Sequence, residues 1–452
     1  MLGLYGLLMR LAQGSLRRKL TRRAQAEPVY AESVPERFGH YSRAWPAALG
    51  PTVWVHAVSL GETRTAALLI GALRQSLPGM RLLLTHGTAT GRTEGAGLLQ
   101  PGDAQGWLPW DSSGPVGRFL RHFQPDIGIL METEVWPMLV AACRQQGVPL
   151  ALANARLSER SLQKAQRLGW LARPAYRALA AVWAQTPEDA RRLQALGAPV
   201  QGVFGNLKFD ARPDTAQVAA GRQGRVGLGR RVAMLASSRD GEEAQLLQIL
   251  KRKMALDLMA KGVEATESIA NETQWLIVPR HPQRFAEVAA LVQARGLSLR
   301  RRSQGGPWPP SDTGSSGGEG GSPAGTVWLG DSLGEMALYY GLADVALLGG
   351  SFEPLGGQNL IEAAACGCPL LLGPHTFNFA EAAELALAAG AALRVGSLAE
   401  AVDAAEALLA QPGRLQAMSE AGRRFAGAHA GAAQRTVAAV LTLLDQQRVD
   451  RL

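Results

Sequence analysis

Short apolar runs alternate with longer helix-like stretches from residue 53 onward. VWVHAV (53–58), RLLLTH (81–86), IGILME (127–132), PLALAN (149–154) and AVWAQT (181–186) are apolar nearly throughout, not at every second position. A strand buried on both faces reads this way, and such strands belong to parallel sheets covered by helices. The pattern restarts with RVAMLASS (231–238), TQWLIVPRH (273–281), TVWLGD (326–331), VALLGGS (345–351) and PLLLG (369–373). These runs predict an α/β protein of two Rossmann-like halves, with a boundary near Gly205–Pro213. The tail 430–452 reads as a helix that could cross back to the first half. Two stretches interrupt the rhythm: 251–272, helical and of mixed charge, and the Gly/Ser/Pro-rich 304–325, expected to be a surface loop.

The N-terminus has a different pattern. In MLGLYGLLMRLAQGSLRRKLTRR, Leu4, Leu7, Leu8 and Leu11 share one helical stripe. Arg10 breaks the apolar run short of the ~20 residues a membrane span needs. A secretory signal carries its charges before the apolar segment, and here they follow it. Residues 1–25 read as an amphipathic helix lying on an anionic membrane surface, each basic residue adding about 1 kcal/mol of attraction. An ordinary first helix packed on the domain, or a short signal anchor, fits the same residues.

Charge supports a local anionic partner. The net charge is +9, but Arg10, Arg17, Arg18, Lys19, Arg22 and Arg23 precede the first acid, Glu27. Without them about +3 remains, which argues against a nucleic-acid-binding surface. The 452 residues allow two or three domains at roughly 100–200 residues each. Three cysteines make a disulfide framework an unsuitable reading, and the seven histidines show no metal-binding spacing. GxGxxG after a first strand, GxxxxGK[ST] and GxSxG are all missing, so dinucleotide oxidoreductases, P-loop NTPases and α/β-hydrolases lose support.

Chemistry concentrates in two places. In GGSFEPLGGQNLIEAAACGCPLLLGPHTFNF (349–379) a strand runs into a Gly-rich loop and then a helix near Asn359 and Glu362. Glycines admit a ligand close to the backbone, and free N–H groups at a helix start attract phosphate. Glu362 could accept from ribose hydroxyls, or merely complement the helix dipole. In WVHAVSLGETR (54–64) a lone acid, Glu62, follows the first strand. Ser59-Leu60-Gly61-Glu62 fits the S-x-x-E capping box. The spacing leaves cap and catalytic base both open.

Beyond these patterns, the sequence resembles the 3-deoxy-D-manno-octulosonic acid (Kdo) transferases of lipopolysaccharide biosynthesis. The matching stretches are ERFGHYS (36–42), HAVSLGE (56–62), THGTATG (85–91), LPWD (108–111), METEVWP (131–137), LANARLSERS (152–161), GNLKFD (205–210), VPRHPQRF (278–285), GDSLGEM (330–336) and LGGQNLIEAAACGCPLLLGPHTFNF (355–379). They follow family order from about residue 30 to 385. The resemblance implies a GT-B glycosyltransferase fold, two Rossmann-like domains with a cleft between them. It implies an inverting transfer from CMP-Kdo to a lipid A precursor, with no cofactor and no bound metal. It also implies a place on the cytoplasmic side of the inner membrane of a Gram-negative bacterium. Residues 26–206 would bind the acceptor, 207–430 would bind CMP-Kdo, and 431–452 would form the returning helix.

Glu62 matches the family's proton acceptor. Glu132 and Lys208 match its transition-state stabilisers. Pro279 and Arg280, then Leu333, Gly334 and Glu335, then Asn359, Leu360, Ile361 and Glu362 match its CMP-binding segments. Asn154 and Arg156 fit as structural residues. Glu134 reads as a solvated or paired acid at a strand end. Gln358 stands where many members have His, and Ser238-Arg239-Asp240 where many have Thr-His-Glu. Neither departure removes the base or the ribose acid. Two other readings are another GT-B nucleotide-sugar transferase of envelope biosynthesis and a non-catalytic membrane-docked relative.

Overall fold

The structure is a computed structural model and describes residues 2–42, 44–45, 50–261, 273–305, 308–309 and 326–450. Residues 262–272 and most of the 304–325 stretch expected to be a loop lie outside the described residues. The chain forms two compact units. The first comprises residues up to Asp210 together with those from His429 onward, and the second runs from Ala211 to Ala428.

The first unit is built on seven parallel strands: β1 (Thr52–His56), β2 (Arg81–His86), β3 (Ala104–Trp107), β4 (Ile127–Met131), β5 (Leu150–Ala155), β6 (Ala181–Ala184) and β7 (Val200–Val203). Their spatial order is β3-β2-β1-β4-β5-β6-β7. Successive residues of β1 serve opposite faces. Trp54 packs with Phe119 and Leu83 on one side, while Val53 and Val55 pack with Leu69 and Leu73 on the other. Both faces are therefore buried, which is why the run is apolar throughout. Gly128 of β4 is needed for this packing: a Cβ there would fall 2.5 Å from Leu150 Cδ1 and 2.7 Å from Trp54 Cε3.

The helix Leu60–Ser76 covers the second face. Beside it lies the C-terminal helix Ala432–Asp450, which returns to this unit and buries Val437, Val440, Leu443 and Leu444 in the same core. The N-terminal helix Leu2–Ala26 also belongs here. Tyr5 Oη donates to Asp111 at 2.9 Å, Leu20 is buried, and the Arg17 guanidinium lies 4.3 Å over the Phe38 ring. Its Leu4, Leu7, Leu8 and Leu11 stay exposed, Leu11 by 74%.

The second unit repeats the scheme with β8 (Arg231–Ser238), β9 (Thr273–Pro279), β10 (Ser298–Arg301), β11 (Thr326–Leu329), β12 (Val345–Leu348), β13 (Leu370–Leu372) and β14 (Ala392–Arg394). The order is β10-β11-β9-β8-β12-β13-β14, again all parallel. All ten strands expected from the sequence form, some shifted by a residue or trimmed at the ends. The four that the apolar runs do not reveal are β3, β7, β10 and β14, and these are the edge strands of the two sheets. At the edge β7, β10 and β14 are largely half-buried or exposed, so VQGV, SLRR and ALR carry no apolar run, while β3, mostly buried, is a four-residue AQGW too short and too polar to stand out.

Candidate functional site

In each sheet the order reverses beside the first strand of the unit: β1 lies between β2 and β4, and β8 between β9 and β12. Ligands of open parallel sheets bind beyond the carboxyl ends of strands at such a switch point. The loops after β1 and β4 carry Glu62 and Glu132. Those after β8 and β12 carry Arg239 and the Gly-rich stretch from Gly349.

Glu62 lies in the first turn of its helix and forms a variant of the capping box, its carboxylate reaching the amide just before the N-cap Ser59. Ser59 Oγ accepts from the Glu62 amide at 3.4 Å. The Glu62 carboxylate in turn accepts from the Val58 amide at 2.9 Å and from Ser59 Oγ at 3.0 Å. One carboxylate is thus fixed by two donors. Burial nevertheless pushes its pKa up; the Val58 hydrogen bond opposes the shift and the charge of Glu132 adds to it.

Glu132 follows β4 with φ 58°, and Asn154 near the end of neighbouring β5 has φ 52°. Left-handed backbone outside glycine is uncommon and costs of order 1 kcal/mol or more. Two such residues on adjacent strand ends aim groups the sheet alone would not aim. Glu132 is buried and accepts from Arg156 Nε at 2.6 Å. Asn154 Oδ1 accepts from the Leu207 amide at 3.0 Å, which ties the short turn Leu207–Asp210 to the sheet edge. That turn carries Lys208. Burial lowers the Lys208 pKa, and the charges of Glu132 and Glu62 pull it back up. Glu62, Glu132 and Lys208 therefore act on one another at one end of the first sheet.

Glu134 differs from the sequence expectation of a plain solvated or paired acid. It accepts from Trp136 Nε1 at 3.0 Å, and burial, with the charge of Glu62, pushes its carboxyl up to about 7. The signal in the sequence was its position two residues beyond Glu132 and two before a tryptophan. Arg156 likewise has a larger part than expected, as the ion-pair partner of Glu132.

In the second unit, Gly349 approaches the end of β8 so closely that a Cβ would lie 2.5 Å from Ser237 O. The following turn rests on Glu242, whose fully buried carboxylate accepts from Gly350 N at 2.7 and 2.8 Å and from Phe352 N at 3.3 Å. Asn359 caps the helix Leu360–Cys366, its side chain accepting from Ile361 N at 3.2 Å. The Leu360 and Ile361 side chains are core, so they face any ligand through backbone only. Burial raises the Glu362 carboxyl and nearby Arg280 opposes the shift. Arg280 Nε donates to Gln358 Oε1 at 3.1 Å, so the departure at 358 supplies a carbonyl acceptor. Pro279 is the last residue of β9.

The 333–335 segment follows β11, next to β9. Gly334 has φ 76° and its carbonyl accepts from Gln217 Nε2 at 2.9 Å, while Leu333 is 72% exposed. Glu335 accepts from Arg302 Nε and Nη2 at 3.0 and 2.8 Å, and Arg302 holds its carboxyl below the usual range. Among the described residues no three or more His, Cys, Asp or Glu side chains stand together as a metal site. Among them, too, no helix is long and apolar enough to cross a membrane.

The chain matches the family described as 3-deoxy-D-manno-octulosonic-acid transferase (kdotransferase) over residues 32–211. It is 48% identical over 412 residues to the 3-deoxy-D-manno-octulosonic acid transferase of Bordetella pertussis, covering 90% of this chain and 91% of the relative. It is 31% identical over 414 residues to the Haemophilus influenzae transferase of the same name, covering 90% of each. Among solved structures, Acinetobacter baumannii MurG has a TM-score of 0.52 at 14% identity, covering 87% of this chain and 99% of that one. Neisseria meningitidis UDP-GlcNAc 2-epimerase also scores 0.52, at 15% identity, covering 86% and 100%. At such identities the likeness shows the fold alone, the two-domain α/β GT-B arrangement.

Proposed function

The chain belongs to the 3-deoxy-D-manno-octulosonic acid (Kdo) transferases, and from that premise we propose that it moves Kdo from CMP-Kdo to a hydroxyl of the lipid A precursor. What carries the reading is the 48% identity to the Bordetella transferase over nine-tenths of the chain.

In this reading Glu62 takes the proton of the attacking hydroxyl. A general base needs a defined position and a pKa drawn toward working pH. The capping box holds the Glu62 carboxylate, and its burial raises the pKa. Lys208 is the fixed cation that stabilises charge on the departing CMP phosphate. Glu132, held by Arg156, keeps Lys208 charged and supports positive character at the sugar. The second unit holds the donor. Arg280 and the backbone at Pro279 meet the nucleotide. Leu333 and Gly334 offer backbone to the base, with the Glu335–Arg302 pair shaping that loop. Residues Asn359 to Glu362 hold ribose and phosphate, Glu362 through its carboxylate.

The exposed stripe Leu4, Leu7, Leu8 and Leu11, followed by Arg17, Arg18, Lys19, Arg22 and Arg23, supports a helix lying on an anionic membrane, the cytoplasmic face of the inner membrane. The test is transfer itself. CMP-Kdo generated in situ is incubated with the protein and the lipid A precursor, and the lipid is weighed by mass spectrometry. A gain of one or more Kdo units is expected, and no gain overturns the reading.

A further inference from the structure

The first unit contains a cavity of about 280 Å³ that none of the roles above uses. It lies between the N-terminal helix and the carboxyl edge of the first sheet. Leu16, Leu20, Val58, Leu108 and Trp110 give it apolar walls, and Trp136 and Glu134 also line it. It adjoins the proposed base directly, because the Val58 amide on its wall donates to Glu62 at 2.9 Å.

Its charges are unusual for an apolar hollow. Lys19 and Arg23 line it from the helix, and Arg37 from beneath. Arg37 is only 6% exposed and forms no ion pair among the described residues. It donates to the carbonyls of Gly87 at 3.0 Å and Leu108 at 3.5 Å, lies 4.2 Å over the Trp107 ring, and leaves its buried Nε without a hydrogen-bond partner. Burial lowers its pKa to about 10, so it is still a cation at neutral pH. The Glu36 carboxylate is near enough to favour this charge but is taken by Arg92 and the Trp107 amide, and a buried cation without an ion pair of its own is costly unless an anion joins it. Two acids share the lining. Asp111 is already bound by Tyr5 Oη and the amides of Met138 and Leu139, and Glu134 is held toward its neutral form.

The N-terminal helix supplies this wall with a face of its own. Leu16, Lys19, Leu20 and Arg23 are spaced i, i+3, i+4, i+7, as are Leu4, Leu7, Leu8 and Leu11. At 100° per residue the two stripes are roughly 120° apart around the axis. The leucine stripe can face a bilayer while the other stripe still faces the cavity.

We propose that this cavity seats an acyl chain of the anionic glycolipid acceptor, with Lys19, Arg23 and Arg37 meeting its phosphate. The proposal rests on the Kdo transferase reading and deepens it: the N-terminal helix is a wall of the acceptor site as well as a membrane contact. Apolar walls, cations without an ion pair among the described residues and contact with the Glu62 turn fit one ligand that is greasy, phosphorylated and presents a hydroxyl.

The test uses the full chain in detergent micelles, where docking to a bilayer plays no part. Leu16→Trp narrows the cavity, and the double variant Lys19→Glu/Arg23→Glu reverses its rim charge. Both changes lie on the helix and away from the sheet core, and each variant is first checked for an unchanged melting temperature. Binding of the lipid A precursor is measured without donor, and transfer is then measured with it. We expect acceptor affinity to fall and acceptor KM to rise by about tenfold or more in both variants, with the CMP-Kdo KM unchanged, since tenfold corresponds to losing contact with one or two methylenes. Unchanged acceptor affinity and KM in both variants overturn the proposal. Loss of binding to phospholipid vesicles alone would mean that the cavity holds bulk lipid, and also overturns it. Failure of the wild type to transfer Kdo while it binds the precursor would instead sink the parent reading.

Discussion

At the scale of single residues, Glu62 combines two roles that sequence spacing could not separate. S-x-x-E is the same string whether the acid caps a helix or takes a proton. The structure shows the cap, and the cap fixes the carboxylate. Glu62→Gln keeps the capping box, since Gln serves there as Glu does. We therefore expect a kcat loss of about 10²- to 10⁴-fold with little change in melting temperature or CMP binding. Activity within a few-fold of wild type would leave Glu62 a cap only. Because the base must be charged to act and burial raises its pKa, the acid limb of kcat/KM should lie above the ordinary carboxylate value of about 4.3. A pH–rate profile flat down to that value would contradict this. The neighbours of Glu134 in sequence, Glu132 and Trp136, hinted at its setting, but its burial and its nearness to the Glu62 charge arise only in the fold. Its folded pKa of about 7 lies above the unfolded value of about 4.3, so the folded state loses stability as pH rises between the two. Glu134→Gln should raise the melting temperature at pH 8, and the gain should shrink toward pH 5.

At the scale of elements, what was legible is what is buried on both sides. Interior strands such as β1, β4 and β12 announce themselves as apolar runs. The edge strands do not: β7, β10 and β14 are largely half-buried or exposed, and β3 is a short AQGW in which only Ala104 and Trp107 are apolar side chains. The ion pair of Glu132 with Arg156 was also invisible, since it joins the loops after two strands whose adjacency only the fold creates. Glycine positions carry a sharper message than the strands. Gly349 leaves no room beside Ser237 O, and the atom in the way is backbone, which cannot swing aside. We expect Gly349→Ala to displace the loop from β8, destabilise the second unit by about 1–3 kcal/mol, and weaken CMP binding. Calorimetry and titration with CMP check both effects, and an unchanged CMP affinity would separate this loop from the donor site.

At the scale of the whole molecule, the leucine stripe is the feature most exposed to a simple test. Replacing Leu4, Leu7, Leu8 and Leu11 together with Gln leaves the core untouched, because these side chains are already exposed. Binding to anionic vesicles should fall about tenfold or more, since each leucine contributes roughly 1 kcal/mol of partial burial. Unchanged vesicle affinity would assign the surface another task. The return of the C-terminal helix has a consequence for biosynthesis. The first unit is begun at the start of translation but cannot close its core until Ala432–Asp450 supplies Val437, Val440, Leu443 and Leu444. All of residues 211–428 are made in between. At about 5–20 residues per second, that wait is on the order of ten to forty seconds. The second unit, made later, can be complete first. A nascent chain of this protein therefore spends that interval with part of one apolar sheet face uncovered, the part beside Leu60–Ser76 that the last helix fills, and a stop codon just short of Ala432 would make the condition permanent.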